Sequence, residues 1–347
     1  IIESFSGHLQ VQNVKYQDNP LIDNSFKYND TLVAAISKTE NVISVTPHLE
    51  SFTLASNGTQ TKGVAVIAID PEKEKRFSDP EAKLVRYRIT GESVRQLKRI
   101  PGIPEKIISA MTKSVGRSFS TVGRLELELS LTDDEKERYL KDILDCTLFH
   151  NNYLTEKDDG ILVSDRLAAY LKVAIGDSVI LMGQGFHGAS ATGLFPVRGI
   201  IKMPSPDIDN KLIVMTIPAA QTFYGAEGRV TSLVINLKDK SDRTINRARS
   251  SVNALLKDKT VTTRTWYDLN PVLYQQIQGD SQTGIATLGL LYFIIFFGIF
   301  GTVLMMVSER KREFGVLISI GMQKKKLKWI VSIEMALLGV IGLVAGM

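Results

Sequence analysis

Between Asp280 and Glu309 lie 28 residues without a formal charge. About 20 apolar residues cross a bilayer core, so this stretch predicts a transmembrane helix. At about 1.5 Å per residue it reaches roughly 42 Å, more than the ~30 Å hydrocarbon slab, so it tilts or projects. The alternative, a buried core helix, is rarely apolar all round over such a length. This one feature explains a mean hydropathy of +0.03 in a chain that is 23% charged. The average hides two populations. Residues 281–347 hold seven Lys/Arg and three Asp/Glu; subtracting these from 42 and 37 leaves 35 and 34 in residues 1–280. The first part is near neutral (+1) and the last 67 residues carry +4. A pI of about 9.0 is therefore not a nucleic-acid signature, because no basic excess is spread over the larger part, and no nucleic-acid partner is expected.

A second, partial span is expected over 329–347, with one acid, Glu334, and the small-residue spacing Gly342-x-x-x-Gly346. Glu334 lies six residues past Lys328, about 9 Å along a helix and near the headgroup boundary. Snorkelling and pairing inside a helix bundle both remain open for it. The loop between the spans, residues 309–328, has seven basic and two acidic residues, whereas residues 262–280 contain one basic residue, Arg264. Positive residues stay on the cytoplasmic side, so the loop is expected in the cytoplasm and residues 1–280 outside it. An earlier span is expected before residue 1, since Ile1-Ile2-Glu3 does not read as a start, and both ends look cut.

The 347 residues suggest about two domains. Ser6–Asn13 alternates like a strand, and Asp30–Thr39 places Leu32, Ala35 and Ile36 at helical spacing. Val42–Ala55 and Gly63–Asp70 read as strands around Asn57-Gly58, expected to form a tight turn with two positive φ angles. Leu212–Ile217 reads as a strand, followed by a short helix opened by Pro218 and stopped by Gly225. Thr231–Leu237 is a strand, Asp242–Leu256 a helix showing Ile245, Ala248, Val252 and Leu255, and Lys259–Arg264 another strand. Between these halves, Ile161–Lys202 is strand-rich, with a Leu167–Leu171 helix and a Gly176-Asp177 turn. Residues 71–150 are polar; Thr132–Leu144 reads as an exposed helix with Thr132 and Glu135 at capping-box spacing.

Enzyme chemistry finds no footing. His8, His48, His150 and His187 are unpaired at metal-ligand spacing and read as surface or strand histidines. No phosphate-binding G-x-x-x-x-G-K-[ST] and no G-x-S-x-G occurs. Gly183–Gly188 satisfies GxGxxG, but no helix pattern follows, so it reads as a hairpin. Cys146 is the one cysteine and reads as a part-buried thiol. The expectation is a non-enzyme with no catalytic residue, metal or cofactor.

The most specific segment follows the first span: Glu309-Arg310-x-x-Glu313-Phe314-Gly315-x-Leu317-x-Ser319-Ile320-Gly321-Met322. It strongly resembles the FtsX-like permease domain of the MacB/LolC/LolE transporters. Gly160-Ile-Leu-Val-Ser-x-x-Leu-Ala-x-x-Leu-x-Val-x-Ile-Gly-Asp177, and Val261-x-Thr-x-Thr-Trp266 leading into Asp268-Leu-x-Pro271, resemble that family's periplasmic core domain. Ser6-Gly-His-Leu-Gln-Val11 leans toward the lipoprotein-releasing branch. Residues 71–150 are longer than the family pattern.

The resemblance implies an α+β extracytoplasmic domain, with split porter-like halves at 1–70 and 211–280 around a β-rich insert at 71–210, plus transmembrane α-helices. Of the region 281–347, residues 281–308 would be a span, 309–328 a cytoplasmic coupling loop and 329–347 a partial span. It implies a permease subunit of the bacterial inner membrane, working with a cytoplasmic ABC ATPase and a second permease subunit, identical or different. Membrane lipid, a lipoprotein substrate and a periplasmic carrier complete the expected partners. The alternatives are a MacB-like efflux permease, or FtsX-like signalling to cell-wall hydrolases. The coupling residues would be Glu309, Arg310, Glu313, Phe314, Gly315, Leu317, Ile318 and Gly321, while Glu334, Gly342 and Gly346 would serve helix packing. Independently, Phe314, Leu317 and Ile318 sit three and four apart, the spacing of a helix face laid in a partner's groove. The competing reading is an interfacial helix held on anionic lipid by its lysines.

Overall fold

A computed structural model describes residues 7–345. Two compact units divide at Asn270/Pro271. The first begins with β1 (Leu9–Asn13), β2 (Phe26–Lys27), α1 (Asp30–Ser37), β3 (Val42–Ser56) and β4 (Thr61–Ile69). The Asn29 side chain starts α1 by accepting from the backbone N–H groups of Thr31 and Leu32. The link from β3 to β4 differs from the expected two-residue turn. It spans residues 57–60, and of Asn57 and Gly58 only Gly58 has a positive φ (+92°). The Asn57 carboxamide accepts from the N–H groups of Thr59 and Gln60, an Asx-type turn that competes with the tighter one.

Next come α2 (Pro71–Lys75), β5 (Tyr87–Arg88), α3 (Gly91–Lys98), α4 (Glu105–Lys113), β6 (Ser118–Phe119), α5 (Val122–Leu129) and α6 (Asp133–Thr147). The polar stretch at 71–150 is thus mainly helical. Its helices α3–α6 surround a core of their own, including Leu97, Ile107, Met111, Leu125 and Ile143. Thr132 and Glu135 form the expected capping box at the start of α6. Cys146 is half-buried in this lobe.

The chain continues through β7 (Ile161–Ser164), α7 (Asp165–Leu171), β8 (Ser178–Gln184), β9 (Ser190–Ile201), α8 (Pro206–Asp209), β10 (Leu212–Thr216), α9 (Ile217–Tyr224) and β11 (Arg229–Val230). Gly225 ends α9 in the left-handed conformation, as expected. Gly183–Gly188 forms the end of the β8–β9 hairpin. The unit closes with β12 (Ser232–Leu237), α10 (Asp242–Leu255), β13 (Val261–Thr265) and α11 (Trp266–Leu269).

The main sheet runs β13-β1-β12-β3-β4-β10-β7-β9-β8, and β8 also pairs with β3. The 15-residue β3 is the reason. Its first half pairs with β12 (Val42–His48), while Thr53–Ser56 pairs with β8. Two modules share this strand. The four strands β13-β1-β12-β3, all antiparallel, with α1 and α10, have the order of a split β-α-β unit. Ile36, Leu233, Ile235, Ile245 and Val252 fill its core, each large side chain contributing about 1.5–3 kcal/mol by burial. The strands β3-β4-β10-β7-β9-β8 close on themselves as a barrel, filled by Leu49, Val66, Val163, Leu181, Phe195 and Met215.

His48 stands on β3 where the two modules meet, opposite Ser232 of β12 and Ile69 of β4. It is a strand histidine, but fully buried. Its Nε2 is 2.9 Å from Glu74 Oε2 of α2, and its Nδ1 is 3.5 Å from Glu50. Glu74 is equally buried and also accepts from Ser78 Oγ at 2.6 Å. Burial works against charge on the ring, but the Glu74 carboxylate and the hydrogen bonds that the ring donates to both glutamates outweigh it. The imidazolium pKa is pushed up to about 10.

Candidate membrane-coupling site

The second unit is α12 (Pro271–Glu309), α13 (Lys311–Ser319) and α14 (Lys324–Ala345). Proline at the first position of α12 costs no hydrogen bond, because that N–H has no helical partner. The helix then runs 39 residues without a break, about 58 Å. Within Tyr274–Glu309 an 18-residue window reaches a mean hydropathy of 2.5, and the helix is long and apolar enough to cross a membrane. Inside it, Thr302 returns its hydroxyl to the Gly298 carbonyl at 3.0 Å, so this polar group is satisfied by the helix itself. Among the described residues it is the one helix that meets this description.

At Arg310 the chain turns into α13, and Gly321 ends that helix. Gly321 has φ +100°, its N–H bonds to the Ile318 carbonyl, and the Met322 N–H bonds to the Leu317 carbonyl. That is the Schellman arrangement, which needs a residue able to take positive φ. Gly321 therefore reverses the chain into α14. Gly315 lies inside α13 with open space where a Cβ would point.

Arg310 Nη1 bonds both carboxylate oxygens of Glu334, at 2.8 and 3.1 Å. Glu334 is thus ion-paired with Arg310, both side chains being part-exposed. Because Arg310 directly follows α12, the pair holds Glu334 at the level where the apolar helix ends. The first ten residues of α14, including Lys324, Lys325, Lys326 and Lys328, precede that level.

The remaining expected residues separate by exposure. Phe314 and Leu317 are half-buried, while Ile318 is 41% exposed. Glu309 and Glu313 are exposed. Val316 (61%) on α13 and Ile320 (75%) at its C-terminal cap, four apart, present an exposed apolar pair that was not among the expected coupling residues. Helical spacing alone does not tell an inward from an outward stripe on so short a helix. Gly342 has no neighbour where its Cβ would stand, and Gly346 lies outside the described residues.

Residues 285–347 match the family described as FtsX-like permease C-terminal. Over 276 residues the chain is 23% identical to an uncharacterised ABC transporter permease protein of Mycobacterium tuberculosis. That match covers 73% of this chain and 30% of the relative, so the chain spans under a third of the relative's length. Among solved structures, the extracellular domain of the noncanonic ABC-type transporter YknZ from Gram-positive bacteria aligns at 11% identity and a TM-score of 0.37. It covers 75% of this chain and 100% of that one. The periplasmic region of MacB from Actinobacillus actinomycetemcomitans aligns at 13% identity and a TM-score of 0.38, covering 78% and 92% respectively. Residues 285–347 are thus similar to an FtsX-like permease C-terminal segment, and they follow a folded α+β domain. A relative by sequence bears the name of an ABC transporter permease.

Proposed function

We propose that this chain is a permease subunit of an ABC transporter, relaying ATP hydrolysis by a cytoplasmic partner to its folded outer domain. One observation carries the reading. The unbroken α12 leaves the folded domain and runs directly into the segment that matches the FtsX-like permease family. In this reading residues 1–280 lie outside the cytoplasm, α12 and the later part of α14 cross the inner membrane, and α13 meets the ATPase. The permease acts beside a second permease subunit, and lipoprotein release is the finer assignment. It rests on the resemblance of Ser6–Val11 to that branch.

The coupling role assigns Glu309, Arg310, Glu313, Phe314, Gly315, Leu317, Ile318 and Gly321 to the ATPase contact, with Val316 and Ile320 as its exposed apolar edge. Phe314→Asp in the full-length subunit, co-purified with its ATPase, is expected to leave folding intact and abolish stimulation of ATP hydrolysis. Unchanged stimulation counts against the coupling role. Alkaline phosphatase fused at residue 280 is expected to be active, and an inactive fusion refutes the orientation. For the substrate, depletion of the subunit is expected to leave lipoproteins in the inner membrane. Normal lipoprotein release on depletion removes that assignment without touching the permease reading.

A further inference from the structure

The helical lobe and the barrel face each other across a cleft of about 960 Å³. Six cationic side chains line it: Arg88, Arg117 and Arg124 from the lobe, and Arg166, Lys172 and Lys202 from the barrel side. Two carboxylates, Asp165 and Glu128, line it with them. The excess is +4. Residues 1–280 as a whole carry only +1, with 35 basic and 34 acidic residues, so positive charge is concentrated here rather than spread.

The floor is built in advance. Asp165 at the start of α7 holds Arg88 Nη2 and Lys202 Nζ, each at 2.8 Å. Both cations are 25% exposed, and they come from opposite sides of the cleft. One carboxylate thus serves two cations. Arg88 is fixed further by Ser118 Oγ, which accepts from its Nε at 3.0 Å, and by the Phe149 ring 4.4 Å away. Lys202 also reaches Asp209 at 3.3 Å. Glu128 is already engaged, since hydrogen bonds from Ser114 and then Arg117 hold its carboxyl below the usual range. Arg124 and Lys172 are exposed and have no carboxylate within ion-pair distance among the described residues, and Arg166 has only Asp209 at 3.9 Å.

We propose that this cleft binds a phosphate-bearing ligand. Four guanidinium groups suit it, because they engage oxyanions by paired N–H donors, and Lys172 and Lys202 add point charge. The volume lies within the ordinary range for small-ligand sites. Leu127, 80% exposed at the rim, adds an apolar edge, so the phosphate can come from a lipid headgroup or from a free phosphorylated compound. The site lies wholly in the first unit, so its test does not depend on the permease reading.

The test is titration calorimetry of the full-length protein in neutral detergent with inorganic pyrophosphate, at low and at physiological salt. Saturable binding that weakens with salt is expected. The double variant Arg124→Glu/Lys172→Glu removes two exposed cations without touching the packed floor, and it is expected to weaken binding at least about tenfold. Lys38→Glu/Lys98→Glu, equally exposed but outside the cleft, is expected to change nothing. Competition with short-chain phosphatidic acid separates the sources. Displacement at lower concentration than pyrophosphate identifies a lipid headgroup, and the reverse order a free phosphate compound; either supports the site. No binding, equal affinity in the cleft variant, or equal loss in the control overturns it.

Discussion

Replacing His48 by leucine leaves the Glu74 carboxylate fully buried and stripped of its nearest cation. Removing one member of a buried ion pair costs about 3–5 kcal/mol, because the remaining charge stays desolvated. Replacing both, His48→Leu/Glu74→Leu, removes the charge as well as the pair and is expected to cost clearly less. The pH dependence has a definite sign. The ring pKa is about 10 in the folded protein against 6.5 unfolded, so the native state binds this proton more tightly. The stabilisation is complete below about pH 6.5 and is lost as pH rises through about 10. Urea unfolding followed by tryptophan fluorescence is a suitable assay, since Trp266 packs against the core of the split β-α-β unit. The stability gap between wild type and the double variant should shrink steadily between those two pH values. A gap that is constant across them, or a single variant no worse than the double, refutes the reasoning.

Two other perturbations follow from contacts already described or adjoining them. Asn151 ties the lobe's stem to β9, its Nδ2 donating to the carbonyls of Ile200 (2.6 Å) and Val85 (3.1 Å) and its Oδ1 accepting from the Ile200 N–H at 3.0 Å. A Cβ on Gly199 would meet that Oδ1 at 2.5 Å and the Asn152 carbonyl closer still, so Gly199→Ala should displace the clamp and cost about 1–3 kcal/mol; an unchanged melting temperature contradicts this. Arg310→Glu should lower thermal stability in detergent, and Arg310→Glu/Glu334→Arg should recover it, by no more than about 1 kcal/mol for a pair this exposed; a swap no better than the single change argues against the pair.

What was legible in the sequence is what local chemistry encodes. The long apolar helix α12, α1, α10, the Thr132 capping box and the strands around residues 42–69 and 212–265 all follow from periodicity, charge and capping residues. The helical lobe did not, because each of its short helices α3–α5 buries only two or three residues and leaves the rest polar. Periodicity has too little length to stand out there. The closure of β3 onto β8, the His48–Glu74 pair and the Arg310–Glu334 pair join residues 24 or more positions apart, so no local window contains them. The basic cleft is the extreme case: its lining runs from Arg88 to Lys202, and each cation alone reads as an ordinary surface charge.

The shared strand has a mechanical consequence. Displacement of β13, two elements before α12, passes through continuous ladders to β1, β12 and β3, and β3 is itself a barrel strand. Close-packed sheets transmit strain rather than absorb it. The split β-α-β unit and the barrel should therefore move together. Among the described residues the lobe joins the barrel by a single isolated bridge, Leu84 to Ile201, rather than by a ladder. It hangs from the Val85 N–H on the Ile200 carbonyl, the Lys202 N–H on the Lys83 carbonyl, the Asn151 clamp and the Arg88–Asp165 pair. Local opening concentrates where backbone connections are fewest. The joint with fewest connections is also the wall of the basic cleft, so a ligand seated between its two rows of cations would add the cross-links that the fold itself leaves out.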